Sequence, residues 1–447
     1  MSENEELIAN IGITSFGRVN RRMNHRKINK LPQILPGTEL VVKLADLPIN
    51  SVEVGRYGLL SLLYQSKGFD ALEIALDRTK DIIHEVGEIR KQLIDLTLLQ
   101  ELKQEKEKFD ELVSSEFLTA RTATNQFESL GRYHFINRSA MKLANLDYIF
   151  QWTYSLKERG DKFSFADICG GPGGFSEYLL WKMDQIAIEG HGYGITLKDA
   201  ANDCDWRLPT RFRKSMTICY GEDGTGNLYS IANVHSFRDC VRRQHPDGVD
   251  LAVADGGFPD ARSQLNQESI MTRLILAEVL AMFAALRIGG DFICKTFELV
   301  TPAMIEICWI LHQSFKCFAV VKPITCRPAS SERYLVARGL RAGLPTSKLV
   351  AVLEDRLTNS YSETKFDFKL RFLHNNTSLS NDDNFLQYLM AANDVIGTSQ
   401  LHACRCINEF AANPGKRKAQ NKEVTVDPRQ YYRCWQLRSN SPRKTQI

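Results

Sequence analysis

Residues 165–178 read FADICGGPGGFSEY, and this stretch decides the fold class. It begins as an apolar strand ending in Asp167, turns through a loop with four glycines, and enters a helix near Phe175. A strand, a glycine loop and a helix in this order bring bare backbone against a ligand at the carboxyl end of a parallel strand. N–H groups at the helix start can receive a carboxylate or a phosphate. The stretch therefore predicts a nucleotide-like ligand, against the plainer interpretation of a glycine-rich turn in any α/β protein.

The glycine spacing separates this loop from two common nucleotide motifs. It does not follow G-x-G-x-x-G, the dinucleotide fingerprint, and no G-K-[ST] follows it as in a phosphate loop. A dinucleotide-dependent oxidoreductase is therefore disfavoured.

Between residues 135 and 340, short apolar runs alternate with amphipathic stretches. The sequence predicts an amphipathic helix at 267–287 and strands at 163–168, 191–197, 215–220, 249–254, 292–296, 317–322 and 333–339. Such alternation is typical of a parallel sheet covered by helices on both faces.

Bulk composition limits the protein's class. At 447 residues, with 43% hydrophobic and 25% charged residues, the chain is ordinary for a soluble globular protein of one or two domains. A net charge of +4 permits nucleic-acid binding without arguing for it. The 11 cysteines show no C-x-x-C pair or zinc spacing, and no apolar run approaches a membrane span. We expect free thiols in the cytosol or nucleus, no secretory signal, no metal and no membrane.

The two ends of the chain differ from the middle. We expect a basic, partly disordered segment at 1–65, a helical extension at 66–118, the main domain at 119–345, a C-terminal helical lobe at 346–411 and a basic tail at 412–447. The basic run at 18–30 suits nuclear import, RNA contact or a solvated tail. Aromatic residues among arginines near 431–435 can stack on bases, but disorder or a packed strand is the favoured interpretation.

Five motifs occur in the order found in the FtsJ-like ribose 2′-O-methyltransferases, which the chain resembles over about residues 115–345. They are FINRSAMKLANLD at 135–147, DICGGPGGFSEY at 167–178, VADGGF at 253–258, GGDFICKTFELVTP at 289–302 and KPITCRPASSERYLVARGL at 322–340. Within this family they are most similar to the eukaryotic and viral enzymes that methylate the first transcribed nucleotide of capped mRNA.

The resemblance implies both a fold and a cofactor. The expected fold is an α/β, Rossmann-like class I methyltransferase sheet, mostly parallel with seven strands and an antiparallel last strand, flanked by helices and carrying N- and C-terminal extensions. The expected cofactor is S-adenosylmethionine (SAM).

Four charged residues fall where this family has its catalytic Lys-Asp-Lys-Glu tetrad, namely Lys142, Asp255, Lys295 and Glu332. Methyl transfer to a ribose hydroxyl requires positioning and the removal of one proton. We expect Lys295 to orient and deprotonate the 2′-hydroxyl, Lys142 to tune it and contact the ribose, and the two acids to position both lysines. A lone lysine or glutamate is usually a surface salt-bridge residue, but four in matched motifs favour catalysis.

The resemblance also assigns binding residues. Cofactor contacts are expected from Asn137, Asp167, Gly171, Pro172, Gly173, Gly174, Phe175 and, at the adenine, Asn227. Asp223 is the alternative to Asn227, and a simple glycine-rich turn remains open there. RNA and cap contacts are expected from Arg121, Arg262 and Asn266. Trp206 is a candidate for stacking on the cap, although packing is the favoured interpretation.

These observations predict a SAM-dependent enzyme that methylates the ribose 2′-hydroxyl of the first transcribed nucleotide of capped mRNA. The alternatives are 2′-O-methylation of ribosomal RNA, small nuclear RNA or another cap nucleotide, and an inactive cap- or RNA-binding module. The expected partner is the capped mRNA 5′ end, with RNA polymerase II or the capping machinery as further candidates. The nucleus is the expected compartment for a cellular enzyme, and the cytoplasm for a viral one.

Overall fold

The structure is a computed structural model that describes residues 52–54, 60–63, 68–77, 93, 95–154, 156, 162–198, 204–258, 267–359, 372–374, 377–413 and 427–437. Two predicted RNA contacts, Arg262 and Asn266, lie outside the described residues. The basic run at 18–30 lies outside them as well.

A mixed sheet forms the centre of the fold. Its strands are β1 Val52–Val54, β2 Leu60–Leu63, β3 Phe163–Ile168, β4 Gly190–Ile195, β5 Met216–Cys219, β6 Val249–Ala254, β7 Leu286–Thr296, β8 Phe315–Val321 and β9 Arg333–Leu340. Their order across the sheet is β1-β2-β8-β9-β7-β6-β3-β4-β5. Neighbours among β3 to β7 pair in parallel, whereas β9 runs antiparallel to both β7 and β8. The predicted seven-strand, mostly parallel sheet with an antiparallel last strand is confirmed in β3 to β9.

Two further strands extend this sheet beyond the prediction. Strands β1 and β2 pair antiparallel with each other, and β2 pairs antiparallel with β8 at one edge. In the described part of the chain the sheet therefore has nine strands instead of seven. Part of the segment at 1–65, expected to be a partly disordered tail, thus belongs to the sheet.

Helices flank the sheet in the described residues. They are α1 Asp70–Ala75, α2 Leu96–Glu107, α3 Ser114–Ala123, α4 Ser139–Phe150, α5 Gly174–Ile186, α6 Ile231–Arg242, α7 Gln267–Ala285, α8 Pro302–Ser314, α9 Thr346–Asn359, α10 Thr377–Ser380, α11 Asp383–Ala412 and α12 Pro428–Cys434. Short 3₁₀ turns lie at Lys108–Glu111, Glu128–Leu130 and Thr210–Ser215. None of the described helices combines the length and apolarity that a membrane crossing requires.

Each face of the sheet has its own hydrophobic core, because successive side chains of a strand point to opposite faces. On β3, Phe165 joins a cluster with residues of α4, α5 and α12. Its neighbour Ala166 joins a second cluster with residues of α6, α7, α8, α9 and α11. The helices therefore cover both faces, as the alternating pattern predicted.

The chain changes direction across the sheet next to β3. From β3 it proceeds to β4 and β5 on one side, and then returns to β6 and β7 on the other. Ile168 at the end of β3 lies in register with Ala254 at the end of β6. Since open α/β sheets bind ligands where the strand order reverses, the crevice between these two strand ends is the expected site.

The N-terminal helical extension packs against the C-terminal lobe. Leu98 and Leu102 of α2 form a small core with Leu401 of α11. The Asn408 side-chain amide donates a hydrogen bond of 2.6 Å to the Glu105 carboxylate. The two predicted extensions thus pack against each other through α2 and α11.

The basic tail contains a packed helix, which neither of the favoured interpretations anticipated. Helix α12 begins after Asp427, whose side chain accepts a hydrogen bond from the Arg429 N–H and caps the helix. Tyr431 is 3% exposed and Trp435 0% exposed, within the cluster that also contains α4 and α5. Hydrophobic burial therefore secures this segment, and Tyr431 and Trp435 are core residues.

Replacing Trp435 tests whether α12 is part of the folded domain. Trp435→Ala should lower the free energy of unfolding by about 3–5 kcal/mol, as expected for a large buried aromatic side chain. Arg433→Ala, at an exposed position of the same helix, should change it by less than about 0.5 kcal/mol. Denaturant unfolding of both variants measures the difference, and equal stabilities would contradict the packing of α12.

Candidate active site

The four predicted catalytic side chains meet at the carboxyl edge of the sheet. Lys142 Nζ lies 2.7 Å from Glu332 Oε1 and 4.0 Å from Asp255 Oδ1. Lys295 Nζ lies 3.3 Å from Asp255 Oδ1 and donates a hydrogen bond of 2.8 Å to the Asp255 carbonyl oxygen. Their side chains are 11% to 20% exposed, so the cluster is mostly buried but keeps some contact with solvent.

The sheet topology explains how distant residues converge. Asp255 directly follows β6, and Lys295 is the penultimate residue of the parallel neighbour β7. Strand β9 runs in the opposite direction, so its start lies beside the end of β7, with Thr296 paired to Arg333. Glu332 immediately precedes β9 and is thereby delivered to the same edge.

The pKa values in this cluster follow from burial and opposite charge. Burial lowers the pKa of Lys142, but the carboxylates of Asp255 and Glu332 outweigh this and raise it. Burial raises the pKa values of Asp255 and Glu332, but both lysines outweigh it and hold them below their ordinary values. Lys142 is therefore an ammonium and both acids are carboxylates at neutral pH.

Two further side chains bond to the acids and were not predicted. Tyr334 donates from its hydroxyl to Asp255 Oδ1 at 2.7 Å, and Cys326 donates from Sγ to Glu332 Oε1 at 3.1 Å. The position of Tyr334, two residues after Glu332, was a usable signal, because residues i and i+2 of a strand share a face. No feature of the sequence marked Cys326.

The glycine loop lies beside this cluster. The Asp255–Gly256 turn touches Cys169, the residue before the loop, since a Cβ on Gly256 would lie 2.9 Å from Cys169 Cβ. A Cβ on Gly171 would lie 1.7 Å from the Cys204 carbonyl oxygen, so only glycine fits there. Pro172 accepts a hydrogen bond of 3.0 Å from the Arg207 N–H. The loop is therefore framed by the β6 turn on one side and residues 204–207 on the other.

Asn137 lies against the start of α5. A Cβ on Gly174 would come within 2.1 Å of Asn137 Oδ1, and that oxygen accepts a hydrogen bond of 3.0 Å from the Ser139 N–H. Gly173 has a φ of +110°, a backbone conformation that favours glycine. The structure thus brings Asn137, Gly173 and Gly174 together.

Phe175 and Asp167 are buried below the loop. Phe175 is 2% exposed, and its ring lies in the core, 6.3 Å from the Tyr334 ring. Asp167 is 0% exposed, and its Oδ2 accepts hydrogen bonds from the Ser176 N–H at 3.1 Å and the Ser176 hydroxyl at 2.6 Å. Burial raises the pKa of Asp167 to about 7, although both bonds from Ser176 oppose this. Asp167 therefore anchors the start of α5.

The loop at 220–227 carries the predicted adenine contacts. Asn227 is exposed, and its Oδ1 accepts a hydrogen bond of 2.9 Å from the Tyr229 N–H. The alternative residue, Asp223, accepts a bond of 3.0 Å from Asn233 Nδ2. Asn233 also donates to the Asn227 carbonyl oxygen at 3.0 Å. This buried amide, which was not predicted, organises the whole loop.

Trp206 packs against the glycine loop and β4. A Cβ on Gly170 would lie 2.6 Å from its ring, and a Cβ on Gly194 would lie 2.4 Å from it. The ring is therefore a wall of the loop, in keeping with the packing interpretation.

Arg121 lies in a cluster of three arginines around one acid. Glu128 Oε1 accepts hydrogen bonds from Arg138 Nη1 at 2.9 Å and from Arg327 Nη2 at 3.4 Å. The Arg121 guanidinium lies near all three charges, and the neighbouring arginines help to lower its pKa after the larger effect of burial. Arg138 is four residues before Lys142, so the cluster adjoins the tetrad. Arg138 and Arg327 were not predicted as site residues.

The raised pKa of Asp167 predicts a pH-dependent stability. Its value is about 7 in the fold and about 3.9 in the unfolded chain, so the folded state holds the proton more tightly. The stability contribution is complete below pH ~4 and is lost as the pH rises through 7, by at most about 4 kcal/mol. Denaturant unfolding between pH 4 and 8 should show Asp167→Asn gaining stability relative to the wild type. The exposed Asp110→Asn should show no such trend, and a constant difference for Asp167→Asn would contradict the assignment.

Comparison with known proteins agrees with this geometry. Residues 135–340 match the family model of the FtsJ-like methyltransferases. The protein named cap-specific mRNA (nucleoside-2′-O-)-methyltransferase 1 of Drosophila melanogaster is 32% identical over 343 residues, covering 74% of this chain and 43% of that protein. Its Homo sapiens counterpart is 32% identical over 349 residues, covering 73% of this chain and 40% of that protein.

The chain thus spans less than half the length of these relatives. A structure described as a putative ribosomal RNA methyltransferase from Plasmodium falciparum aligns at a TM-score of 0.32 and 18% identity, covering 46% of this chain and 97% of that one. The family match instead coincides with β3 to β9, the glycine loop and the tetrad. Residues 135–340 of this chain are an FtsJ-like methyltransferase domain, of a family whose members depend on S-adenosylmethionine.

Proposed function

We propose that this chain transfers a methyl group from SAM to the ribose 2′-hydroxyl of the first transcribed nucleotide of capped mRNA. The tetrad carries the proposal, because two lysines and two carboxylates meet beside a glycine loop at the reversal point of the sheet. The names of the relatives point to capped mRNA as the substrate.

The glycine loop lies at the strand ends where open α/β sheets bind ligands. A side chain at Gly171, Gly173 or Gly174 would clash with Cys204, Leu208 or Asn137, respectively, so packing within the chain fixes the path of the loop. The three glycines and Asn137 would hold the methionine end of SAM, which supplies an electrophilic methyl group when bound. Asn227 would meet the adenine, since its amide oxygen has a second lone pair beyond the bond from Tyr229.

The acids of the tetrad contact its two lysines differently, so the two lysines have different roles. Glu332 and Asp255 hold Lys142 as an ammonium, so Lys142 contacts the ribose and stabilises negative charge that develops on the 2′-oxygen. Lys295 has both the carbonyl oxygen and the carboxylate of Asp255 to fix its direction. Lys295 is therefore the residue that orients the 2′-hydroxyl, and it takes the proton as a neutral amine, the form that a general base requires.

The arginine cluster beside the tetrad suits RNA phosphates. Arg121, Arg138 and Arg327 carry three positive charges around the single carboxylate of Glu128. One guanidinium group can bind two oxygens of the same phosphate. The excess positive charge would therefore hold the RNA backbone next to the reacting ribose. Arg262 and Asn266, in the segment between β6 and α7, are proposed as further RNA or cap contacts.

The place of action follows from the proposed substrate. Cellular mRNA receives its cap while it is transcribed, so the chain would act in the nucleus, beside RNA polymerase II or the capping machinery. A viral enzyme of this kind would act in the cytoplasm.

Mapping the methylated nucleotide tests the proposed function. The wild-type chain should methylate the first transcribed nucleotide of a capped RNA and leave the uncapped RNA unmodified, as read by mass spectrometry of nuclease fragments. Lys295→Ala should lower the rate by about 10²–10⁴-fold, the usual contribution of a general base, while SAM affinity changes little. The exposed Lys316→Ala is the control and should keep the wild-type rate.

Two results would contradict this proposal. Methylation at another nucleotide, or of uncapped RNA, would exclude specificity for the cap. Substantial turnover by Lys295→Ala would exclude Lys295 as the base.

Salt dependence tests the arginine cluster. Arg121→Ala should weaken RNA binding and reduce the slope of log affinity against log salt by about 0.7 for each phosphate that the arginine neutralises. Titrations of a capped oligonucleotide at several salt concentrations measure this slope. Arg238→Ala, on α6, removes a partly exposed arginine paired with Asp239 and should leave the slope unchanged. An unchanged slope in Arg121→Ala would remove that residue from the RNA path.

A further inference from the structure

Glu278 is a buried carboxylate directly beneath the tetrad. It lies on α7 and is 1% exposed. Its Oε1 accepts a hydrogen bond of 3.1 Å from the Gly256 N–H, and its Oε2 accepts one of 3.5 Å from Cys294 Sγ. Gly256 follows Asp255 and Cys294 precedes Lys295, so Glu278 touches the chain next to two members of the tetrad.

One peptide group connects Glu278 with Lys295. The peptide between Asp255 and Gly256 accepts a hydrogen bond from Lys295 Nζ at its oxygen, at 2.8 Å. The N–H of this same peptide donates to Glu278. Rotation of the peptide plane would break both bonds together, so the carboxylate fixes the direction of the carbonyl that Lys295 uses. Hydrogen bonds in such a chain also strengthen one another.

The contact is close enough to exclude any side chain at residue 256. A Cβ on Gly256 would lie 2.2 Å from Glu278 Oε1. The glycine of this turn thus admits a carboxylate from the helix behind the sheet. Burying a carboxylate is costly unless it is hydrogen-bonded, which gives these two bonds their weight.

The charged surroundings of Glu278 favour a role at the site. Burial raises its pKa to about 7, while the Lys295 cation and the bonds from Cys294 and Gly256 oppose the rise and Asp255 adds to it. The remaining titratable neighbours are Cys169 at the end of β3 and Tyr229 before α6. Lys295 is therefore the basic side chain that faces this carboxylate among the described residues.

We propose that Glu278 is a positioning residue that directs Lys295 toward the 2′-hydroxyl through the Asp255–Gly256 peptide. The inference rests on the proposed function, because the direction of Lys295 matters only if Lys295 takes part in methyl transfer. The hydrogen bonds of Glu278 come from Gly256 and Cys294 and from none of the four tetrad side chains, and Glu278 also lies against Cys169, just before the glycine loop.

Two substitutions of similar size separate the hydrogen bond from mere packing. In Glu278→Gln, the new amide oxygen can still accept the hydrogen bond from the Gly256 N–H, and the NH₂ group can face the Cys294 sulfur. Glu278→Met fills the same space without that acceptor. Single-turnover methylation, normalised to enzyme able to bind SAM, should fall about 10–100-fold in Glu278→Met, the cost of a misplaced reacting group. Glu278→Gln should restore most of the rate, and KM for SAM should change little in either variant.

A second buried glutamate provides the matched control. Glu306 on α8 is 1% exposed and accepts a hydrogen bond of 3.1 Å from the Leu373 N–H, away from the tetrad. Glu306→Met should lower stability but leave the normalised rate unchanged. If Glu278→Met behaves in the same way, Glu278 is only a structural residue and the proposal is wrong.

Hydrogen exchange of the Gly256 amide tests the bond to Glu278 without requiring any methylation activity. The Gly256 amide should exchange faster in Glu278→Met than in the wild type, and should stay protected in Glu278→Gln. If the wild-type chain methylates no capped RNA, the proposed function fails, while the exchange still reports on the Glu278 bond. Unchanged protection of Gly256 in Glu278→Met would overturn the inference whatever the activity.

Discussion

Two lysines share the carboxylate of Asp255, and the site depends on this sharing. Lys142 and Lys295 approach the same oxygen, Oδ1, at 4.0 and 3.3 Å. Positive charge on both lysines in so small and dehydrated a space would be strongly repulsive without a negative charge between them. Glu332 supplies the second negative charge, so the cluster contains as many carboxylates as lysines. Loss of either acid would leave an unpaired buried cation, and for this reason the four side chains form one unit.

The order of the strands makes this unit possible. Parallel strands β6 and β7 bring Asp255 and Lys295 to one edge, and the antiparallel β9 brings Glu332 to that same edge from the opposite direction. Strand β3, in register with β6, ends beside Asp255 and opens into the glycine loop. The glycine loop and the tetrad are therefore adjacent because β3 and β6 end side by side. An all-parallel arrangement of the last strand would place Glu332 at the far edge of the sheet.

The fold and the tetrad could be predicted from the sequence, but the residues and strands that hold them in place could not. The bounds of β3 and β6 were predicted to the residue, since each is an apolar run that stops at a glycine turn. Strands β1 and β2 are too short to show a pattern, and the burial of Trp435 depends on a core assembled from distant segments. Glu278 and Asn233 are ordinary helix residues in sequence. Their roles arise only from the loops that the fold places against them, which no local spacing reveals.

The C-terminal lobe belongs to this support, because Glu332 ends a loop without regular secondary structure. Helix α4 holds the loop's start, where Asn145 Oδ1 accepts from the Ile324 N–H at 2.9 Å. Helix α11 holds its middle, where Gln400 Nε2 donates to the Ala329 carbonyl oxygen at 3.2 Å. The buried Lys322 closes its end by donating to the Glu332 carbonyl oxygen at 3.0 Å. The 2.7 Å contact between Lys142 and Glu332 is therefore set from both sides, by the helix that carries Lys142 and by a lobe that lies outside the family domain.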